Sequence, residues 1–243
     1  MTEKVQQLKE MIQESSRIVF FGGAGVSTES GIPDFRSARG VYHQQSAIPP
    51  ETIVSHDFFF QHTQEFYDFY KSKMLFPDAK PNPAHLALAA LEKQGKLTAV
   101  ITQNIDCLHE MAGSKNVLKL HGTCDKNICL SCGKIWPLSR VLDAPGIPLC
   151  DCGGTLKPDV VLYGEGLDNQ VIQKAVLAIS QADLLIIGGT SLVVYPAAGL
   201  IDYFRGSKLV LINKSATSAD RRADLLIPES IGQVLEEAVL QEP

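Results

Sequence analysis

The sequence has no excess of basic residues: 22 Lys and Arg stand against 27 Asp and Glu, a formal net charge of -5 over 243 residues. Binding to nucleic acid by phosphate neutralisation is therefore not expected, because that affinity comes from clustered cations. No run approaches the about 18 apolar residues of a membrane span. The first residues, Met1-Thr2-Glu3-Lys4-Val5-Gln6-Gln7, lack the apolar core of a secretion signal. There is no internal repeat and no low-complexity linker. These absences lead to the expectation of a soluble cytoplasmic protein whose acidic surface suits basic partners.

A core is amply supplied, by 45% hydrophobic residues. Apolar spacing predicts a helix over 3–15, where Val5, Leu8, Met11 and Ile12 share a face behind Thr2 as N-cap, and a buried strand over 18–21. Strand-like runs recur at 99–101, 117–120, 184–187, 209–212 and 225–227. Between them lie helical patterns at 83–94, with Asn82 as cap, Pro83 in the first turn and Gly95 as stop, and at 168–180, 196–205 and 230–240. This alternation predicts an α/β fold with a Rossmann-like, mostly parallel sheet, drawn from residues 1–35, 81–121 and 157–243. Two stretches break the rhythm. Residues 36–80 carry the aromatic cluster Phe58-Phe59-Phe60, Phe66-Tyr67 and Phe69-Tyr70 and read as a helical insertion; residues 122–156 carry paired cysteines and too little apolar content for a core of their own.

Six cysteines in a reducing compartment are thiols or metal ligands rather than disulfides. Cys129-Leu130-Ser131-Cys132 and Cys150-Asp151-Cys152 have zinc-ribbon spacing, except that the second pair is C-x-C. One structural zinc on Cys129, Cys132, Cys150 and Cys152 is the expectation, a closed four-sulfur site with no position for a reacting water. A redox pair is the alternative, although the region lacks a thioredoxin strand-helix context. The compressed second pair leaves Cys124 as a substitute ligand, and Cys107 is assigned to packing.

The segment Val19-Phe20-Phe21-Gly22-Gly23-Ala24-Gly25-Val26-Ser27 is a buried strand running into glycines and a helix start, an arrangement that lets backbone N–H groups approach a pyrophosphate. The full G-x-G-x-x-G pattern is not met, since Thr28 occupies its last position, and a plain strand-to-helix turn explains the glycines equally well. Gln103, Asn104 and Asp106 likewise stand at the carboxyl end of a strand, either as ligands or as an Asx turn.

With Gly31-Ile32-Pro33-Asp34-Phe35-Arg36 following the Gly23-Ala24-Gly25-Val26-Ser27 loop, the sequence resembles the sirtuin (Sir2) family of NAD-dependent protein deacylases, in its bacterial form. The likeness runs on through Thr102-Gln103-Asn104-Ile105-Asp106, His121-Gly122, the cysteine pairs, Pro158-Asp159-Val160-Val161, Gly164-Glu165 and Gly189-Thr190-Ser191-Leu192. Gly22 departs from it, where many relatives carry Thr. The resemblance implies an NAD site made by Gly23, Ala24, Gly25, Ser27, Asp34, Phe35, Arg36, Gln103, Asn104, Asp106, Gly189, Thr190, Ser191 and Asn213. It also implies that NAD is split at its nicotinamide–ribose bond while an acyl-lysine oxygen attacks the ribose. Asn104 and Asp106 then bind ribose hydroxyls, water or the nicotinamide amide, Gln103 orients the ribose, Phe35 shields the reacting face, and His121 is general base on a ribose hydroxyl. His43, His56, His62, His85 and His109 receive no chemistry, and the 216–224 segment with Asp220, Arg221 and Arg222 is not assigned.

The same resemblance places an acylated peptide as a strand along Val160, Val161, Tyr163, Gly164 and Glu165, with Val160 and Tyr163 lining the acyl tunnel. Relatives that take acidic acyl groups carry Arg three residues after a Tyr; here Tyr67 is followed at that spacing by Tyr70, which predicts a neutral acyl group and deacetylation, unless Lys71 or Lys73 reaches inward. The rivals are a mono-ADP-ribosyltransferase, which would pass the ribose to a protein nucleophile, and a non-catalytic NAD-binding regulator.

Overall fold

The computed structural model describes residues 2–35, 37, 40, 41 and 48–241. Helix α1 (Glu3–Glu14) starts where the Thr2 hydroxyl accepts from the Val5 amide at 3.3 Å, and it buries Val5, Leu8 and Ile12. Strand β1 (Ile18–Gly22) follows and is buried throughout. The helix expected after the glycine loop is instead two single 3₁₀ turns, Ala24–Val26 and Thr28–Ser30. Gly31, at φ 85°, and the prolyl ring at Pro33 end them.

The insertion is helical, as α2 (Pro50–Ile53), α3 (His56–Gln61) and α4 (Thr63–Lys73). Next come α5 (Pro83–Lys93), β2 (Leu97–Thr102), α6 (Leu108–Met111) and β3 (Val117–Lys119). The cysteine region gives β4 (Gly122–Cys129), β5 (Ile135–Pro137), α7 (Leu138–Leu142) and β6 (Leu156–Val160). The chain then returns through α8 (Asn169–Gln181), β7 (Leu184–Gly188), a 3₁₀ run (Ala197–Tyr203), β8 (Lys208–Ile212), β9 (Leu225–Ile227) and α9 (Ile231–Leu235). An α-helix was expected over 196–205; Gly199 in its middle weakens α propensity there.

Two sheets result. The larger is parallel with order β3-β2-β1-β7-β8-β9, the smaller antiparallel with order β5-β4-β6. Residues 156–160 pair with β4, so this strand belongs to the small sheet. On one face of the large sheet, α1, α5 and α9 pack Leu8, Leu88, Leu91, Val234 and Leu235 onto Phe20, Val100 and Ile186. On the other, α8 and the 3₁₀ run pack Ile179, Leu200 and Ile201 onto Phe21, Ile101 and Leu185. The aromatic cluster of the insertion closes on the cysteine module: Phe59, Phe66, Tyr67 and Tyr70 share a core with Val141, Val160 and Leu162, and the Tyr67 hydroxyl donates to the Leu156 carbonyl.

Strand order reverses at β1. The chain builds outward through β2 and β3 on one side, then through β7, β8 and β9 on the other. Register sets Thr102, Gly22, Gly188 and Ile212 abreast at the carboxyl edge. Parallel sheets bind ligands at such a reversal, because adjacent loops diverge and leave a crevice.

Two side-chain braces hold the first loop. The Asn82 side chain accepts from Ala84 N–H at 2.9 Å and donates to the Val26 carbonyl at 2.8 Å, so the cap of α5 also ties down the glycine loop. Glu29 accepts from the Gly232 amide at 2.7 Å in the first turn of α9.

Beneath the loop lies a buried pair, His85 and His109, with ring centroids 4.7 Å apart. His85 Nδ1 accepts from the Asn82 amide at 3.2 Å, but His85 Nε2 and both His109 nitrogens have no hydrogen-bond partner. Burial pushes the pKa of His85 down to about 4 and that of His109 to about 3. Both are neutral in the folded protein at pH 7, whereas the unfolded chain protonates them below about 6.5. The stability carried by the neutral pair is therefore complete above that value and is lost as pH falls towards 4, by about 3 kcal/mol for His85 alone. Thermal melts between pH 7.5 and pH 4.5 are expected to show a midpoint that falls with acid, and His109→Leu to flatten that fall. Equal steepness in the variant would contradict the assignment.

Candidate active site

Four loops leave the aligned strand ends and meet over the crevice. The first and third touch backbone to backbone: Gly25 N–H donates to the Gly189 carbonyl at 2.8 Å, and a Cβ on Gly25 would stand 2.7 Å from Gly189 Cα. Gly189 adopts φ 59°, and a Cβ there would stand 2.4 Å from the Val26 nitrogen. Neither position admits a side chain.

The second loop is tied to both. Gln103 N–H donates to the Gly22 carbonyl at 2.9 Å, and its side-chain amide to Thr190 Oγ1 at 3.1 Å. The Asn104 amide donates to Ser27 Oγ at 3.1 Å, and that hydroxyl donates to Asp106 Oδ2 at 2.8 Å. Burial raises the Asp106 pKa, while bonds from Leu108 N–H and Ser27 and the charge of Lys119 restrain the rise. An Asx turn is present as well, since Asp106 Oδ1 accepts from Leu108 N–H.

His121 closes the ring of residues. Its Nδ1 lies 2.9 Å from the Gln103 carbonyl. A carbonyl only accepts, so Nδ1 carries the proton and Nε2 keeps its lone pair. Burial lowers the His121 pKa, outweighing the opposing bond to Gln103, so the imidazole is neutral at pH 7.

These residues line one cavity of about 630 Å³, within the range of sites for a drug-sized ligand or cofactor. Gly23, Ala24, Gly25, Ser27, Asp34 and Phe35 form one wall. Gly189 lies against Gly25 in the same wall, and Gln103, Asn104, Asp106, His121, Thr190, Ser191 and Asn213 complete the lining. Val160, Val161, Tyr163, Gly164 and Glu165 border it on the small-sheet side. Arg36 lies outside the described residues, as does His43. The Glu165 carboxylate is turned to Lys157 Nζ at 3.1 Å and to Leu162 N–H at 2.9 Å, a brace for the strand rather than a free acid. Tyr163 pairs its backbone with Val54 and His56 of the insertion. Asn213 Nδ2 donates to the Ser215 carbonyl at 2.6 Å.

Sequence reasoning passed over several lining residues, among them Ile105, Tyr195 and Ser215, which have no marked chemistry. Cys107, assigned to packing, and Cys124, held as a substitute zinc ligand, line the cavity too. Tyr70 lines the cavity where an acyl-selecting Arg was sought, while Lys71 turns away to donate to the Ala144 and Gly146 carbonyls at 2.6 and 2.7 Å. Lys73 is exposed and borders the cavity.

In the small sheet, the sulfurs of Cys129, Cys132, Cys150 and Cys152 all lie within 4.8 Å of one another. Cys129 and Cys152 are 3.5 Å apart, Cys132 and Cys150 3.6 Å. A tetrahedron with Zn–S bonds of about 2.3 Å has edges of about 3.8 Å, so the four thiols fit one zinc despite the shortened C-x-C. The Trp136 indole N–H donates to Cys150 Sγ at 3.3 Å. Cys124 is not one of this set and makes its contacts in the cavity.

An α/β protein with a Rossmann-like crevice at the strand-order reversal, joined to a four-thiolate module that borders it, is the class that fold and site define. The Sir2 family model matches residues 23–196, more than half of the chain. The chain belongs to the Sir2 family. It is 60% identical over 241 residues, covering 98% of each chain, to an NAD-dependent protein deacetylase of Clostridium acetobutylicum, and 54% identical to one of Cutibacterium acnes over 95% of each. Among solved structures, a Sir2 protein with deacetylated p53 peptide and 3′-O-acetyl ADP-ribose superposes with a TM-score of 0.88 at 39% identity, covering 96% of both chains. A Sir2 homologue in complex with NAD gives 0.88 at 38% identity, over 97% of this chain and 92% of that one.

The thiolate module predicts one zinc per chain by elemental analysis after purification without chelator. Cys150→Ser is expected to lose the metal and to lower the melting temperature, since structural zinc supplies folding energy. An intact small sheet without metal, read by hydrogen exchange at β4, would defeat this reading.

Proposed function

We propose that this protein is an NAD-dependent protein-lysine deacetylase that yields nicotinamide, O-acetyl-ADP-ribose and free lysine. The observation that carries it is the neutral His121 whose unprotonated Nε2 belongs to the same cavity as the Asn104–Ser27–Asp106 chain. NAD, when bound, supplies an anomeric carbon that releases nicotinamide and accepts the acyl oxygen. Its pyrophosphate fits the glycine wall, where only backbone stands at Gly25 and Gly189. Asn104 and Asp106 are positioned to hold ribose hydroxyls, and Ser27 fixes the orientation of both side chains. His121 Nε2 takes the proton from a ribose hydroxyl, and the Gln103 carbonyl holds the ring in the required tautomer.

The acylated peptide lies along residues 160–165, as a strand against the small-sheet side. Tyr70 in the position of a charge-pairing Arg favours a neutral acyl group, because a carboxylate buried there without a partner costs several kcal/mol. No helix among the described residues is long and apolar enough to cross a membrane. The cytoplasm, which keeps thiols such as Cys107 and Cys124 reduced, is our reading of its location.

Incubating an acetyl-lysine peptide with and without NAD, followed by mass spectrometry, is expected to show nicotinamide and O-acetyl-ADP-ribose only with NAD. ADP-ribose attached to protein without the acetylated product would establish the transferase reading instead. His121→Ala should lower kcat by 10²-fold or more while leaving NAD binding within a few-fold. In the wild type, kcat/KM should fall as pH drops through a value below 6.5, where the imidazole gains its proton. On one peptide in two acylated forms, acetyl should turn over faster than succinyl; the reverse order would overturn the acyl assignment.

A further inference from the structure

Cys107 and Cys124 belong neither to the zinc set nor to the proposed chemistry, yet they meet in the cavity wall. Cys124 N–H donates to the Ile105 carbonyl at 2.9 Å, which brings the start of β4 alongside the loop that carries Cys107. Cys107 Sγ lies 3.6 Å from Thr123 Oγ1 and 3.4 Å from Lys119 Nζ. That ammonium is itself fixed, by Glu110 Oε1 at 2.8 Å, Thr123 Oγ1 at 3.2 Å and the Asp106 carbonyl at 3.2 Å. Both thiols are half-buried, line the cavity and are unpaired.

We propose that Cys107 and Cys124 form a peroxide-responsive dithiol in the wall of the cavity, with Cys107 as the attacking thiolate and Cys124 as the resolving thiol. The Cys124 thiol lowers the Cys107 pKa, and Thr123 and Lys119 add to this against the opposing effect of burial. The Cys107 thiol and burial raise that of Cys124. The arrangement thus separates a thiolate from a neighbour that keeps its proton.

Chemistry then follows in two steps. The Cys107 sulfur attacks one oxygen of a hydroperoxide and the O–O bond breaks; the alkoxide takes a proton from solvent, and Cys107 becomes a sulfenic acid. The Cys124 sulfur next attacks the Cys107 sulfur, an S–S bond forms, the S–O bond breaks, and hydroxide leaves as water with the Cys124 proton. Two thiols are oxidised by two electrons and the peroxide is reduced to an alcohol and water. The resulting bond joins the residue after Asp106 to a strand that starts one residue after His121, so activity is lost until a dithiol reduces it.

The test reads mass, which makes it independent of the deacetylase reading. Wild-type protein at pH 7 is treated with hydrogen peroxide at doses that leave zinc content unchanged, digested without reduction, and analysed by mass spectrometry. The expected result is a cross-linked peptide containing Cys107 and Cys124, lighter by two hydrogens than its parts and released by dithiothreitol. Cys124→Ser should accumulate a dimedone-trapped sulfenic acid on Cys107. Iodoacetamide should label Cys107 of the untreated native protein roughly tenfold faster than the thiols of the unfolded chain. Absence of the cross-link while zinc stays bound, or native labelling of Cys107 no faster than unfolded, would overturn the proposal.

Discussion

Two glycines, Gly25 and Gly189, allow the loops after β1 and β7 to cross in backbone contact, and the crevice takes its shape from that crossing. The strands beneath are in register at Gly22 and Gly188, so the loops leave the sheet side by side with no space between them for side chains. Once they are locked together, the second loop, after β2, has only one place to lie. It binds Gly22 through its backbone and Thr190 through Gln103, and in doing so presents Asn104, Asp106 and the Gln103 carbonyl in fixed relation. His121 then inherits its orientation from a carbonyl already held by the sheet. The site is a consequence of strand register carried outward, with burial adjusting the charge of what it displays.

The small lobe supplies the opposite side by a different device. It cannot make a core from residues 122–156 alone, and it does not: the aromatic residues of the helical insertion complete that core, and four thiols hold the far end. Two segments distant in sequence are thereby one body, with Val160 and Leu162 on the shared surface. The cavity border at Tyr163 follows from this union, since the backbone of Tyr163 bonds to Val54 and His56 of the insertion.

Most of the large sheet was legible in the sequence because its strands are short apolar runs and two of its longer helices carry caps, Thr2 and Asn82, that perform as such. The glycine loop and the Asn104/Asp106 loop were legible through motif order. Less legible were features that depend on pairing at a distance. The assignment of β6 to the small sheet rests on its partner β4, and nothing in Leu156-Lys157-Pro158 announces it. The 3₁₀ turns after Gly23 replaced an expected helix because the tight Gly25–Gly189 contact and Gly31 leave no room for regular turns. Cys107 looked like packing because its neighbours, Lys119, Thr123 and Cys124, come from a strand and a lobe that meet it only in the fold.

The carboxylate of Glu29, 203 positions before the amide it accepts from at Gly232, has a mechanical consequence. A side chain at 232 would occupy the place of that carboxylate, since a Cβ there would stand 2.7 Å from its oxygens. The final helix α9 is therefore a buttress for the segment just beyond the glycine wall. Damage to α9 would register as a slackened grip on the nucleotide, at a distance from every residue a search of the crevice would single out.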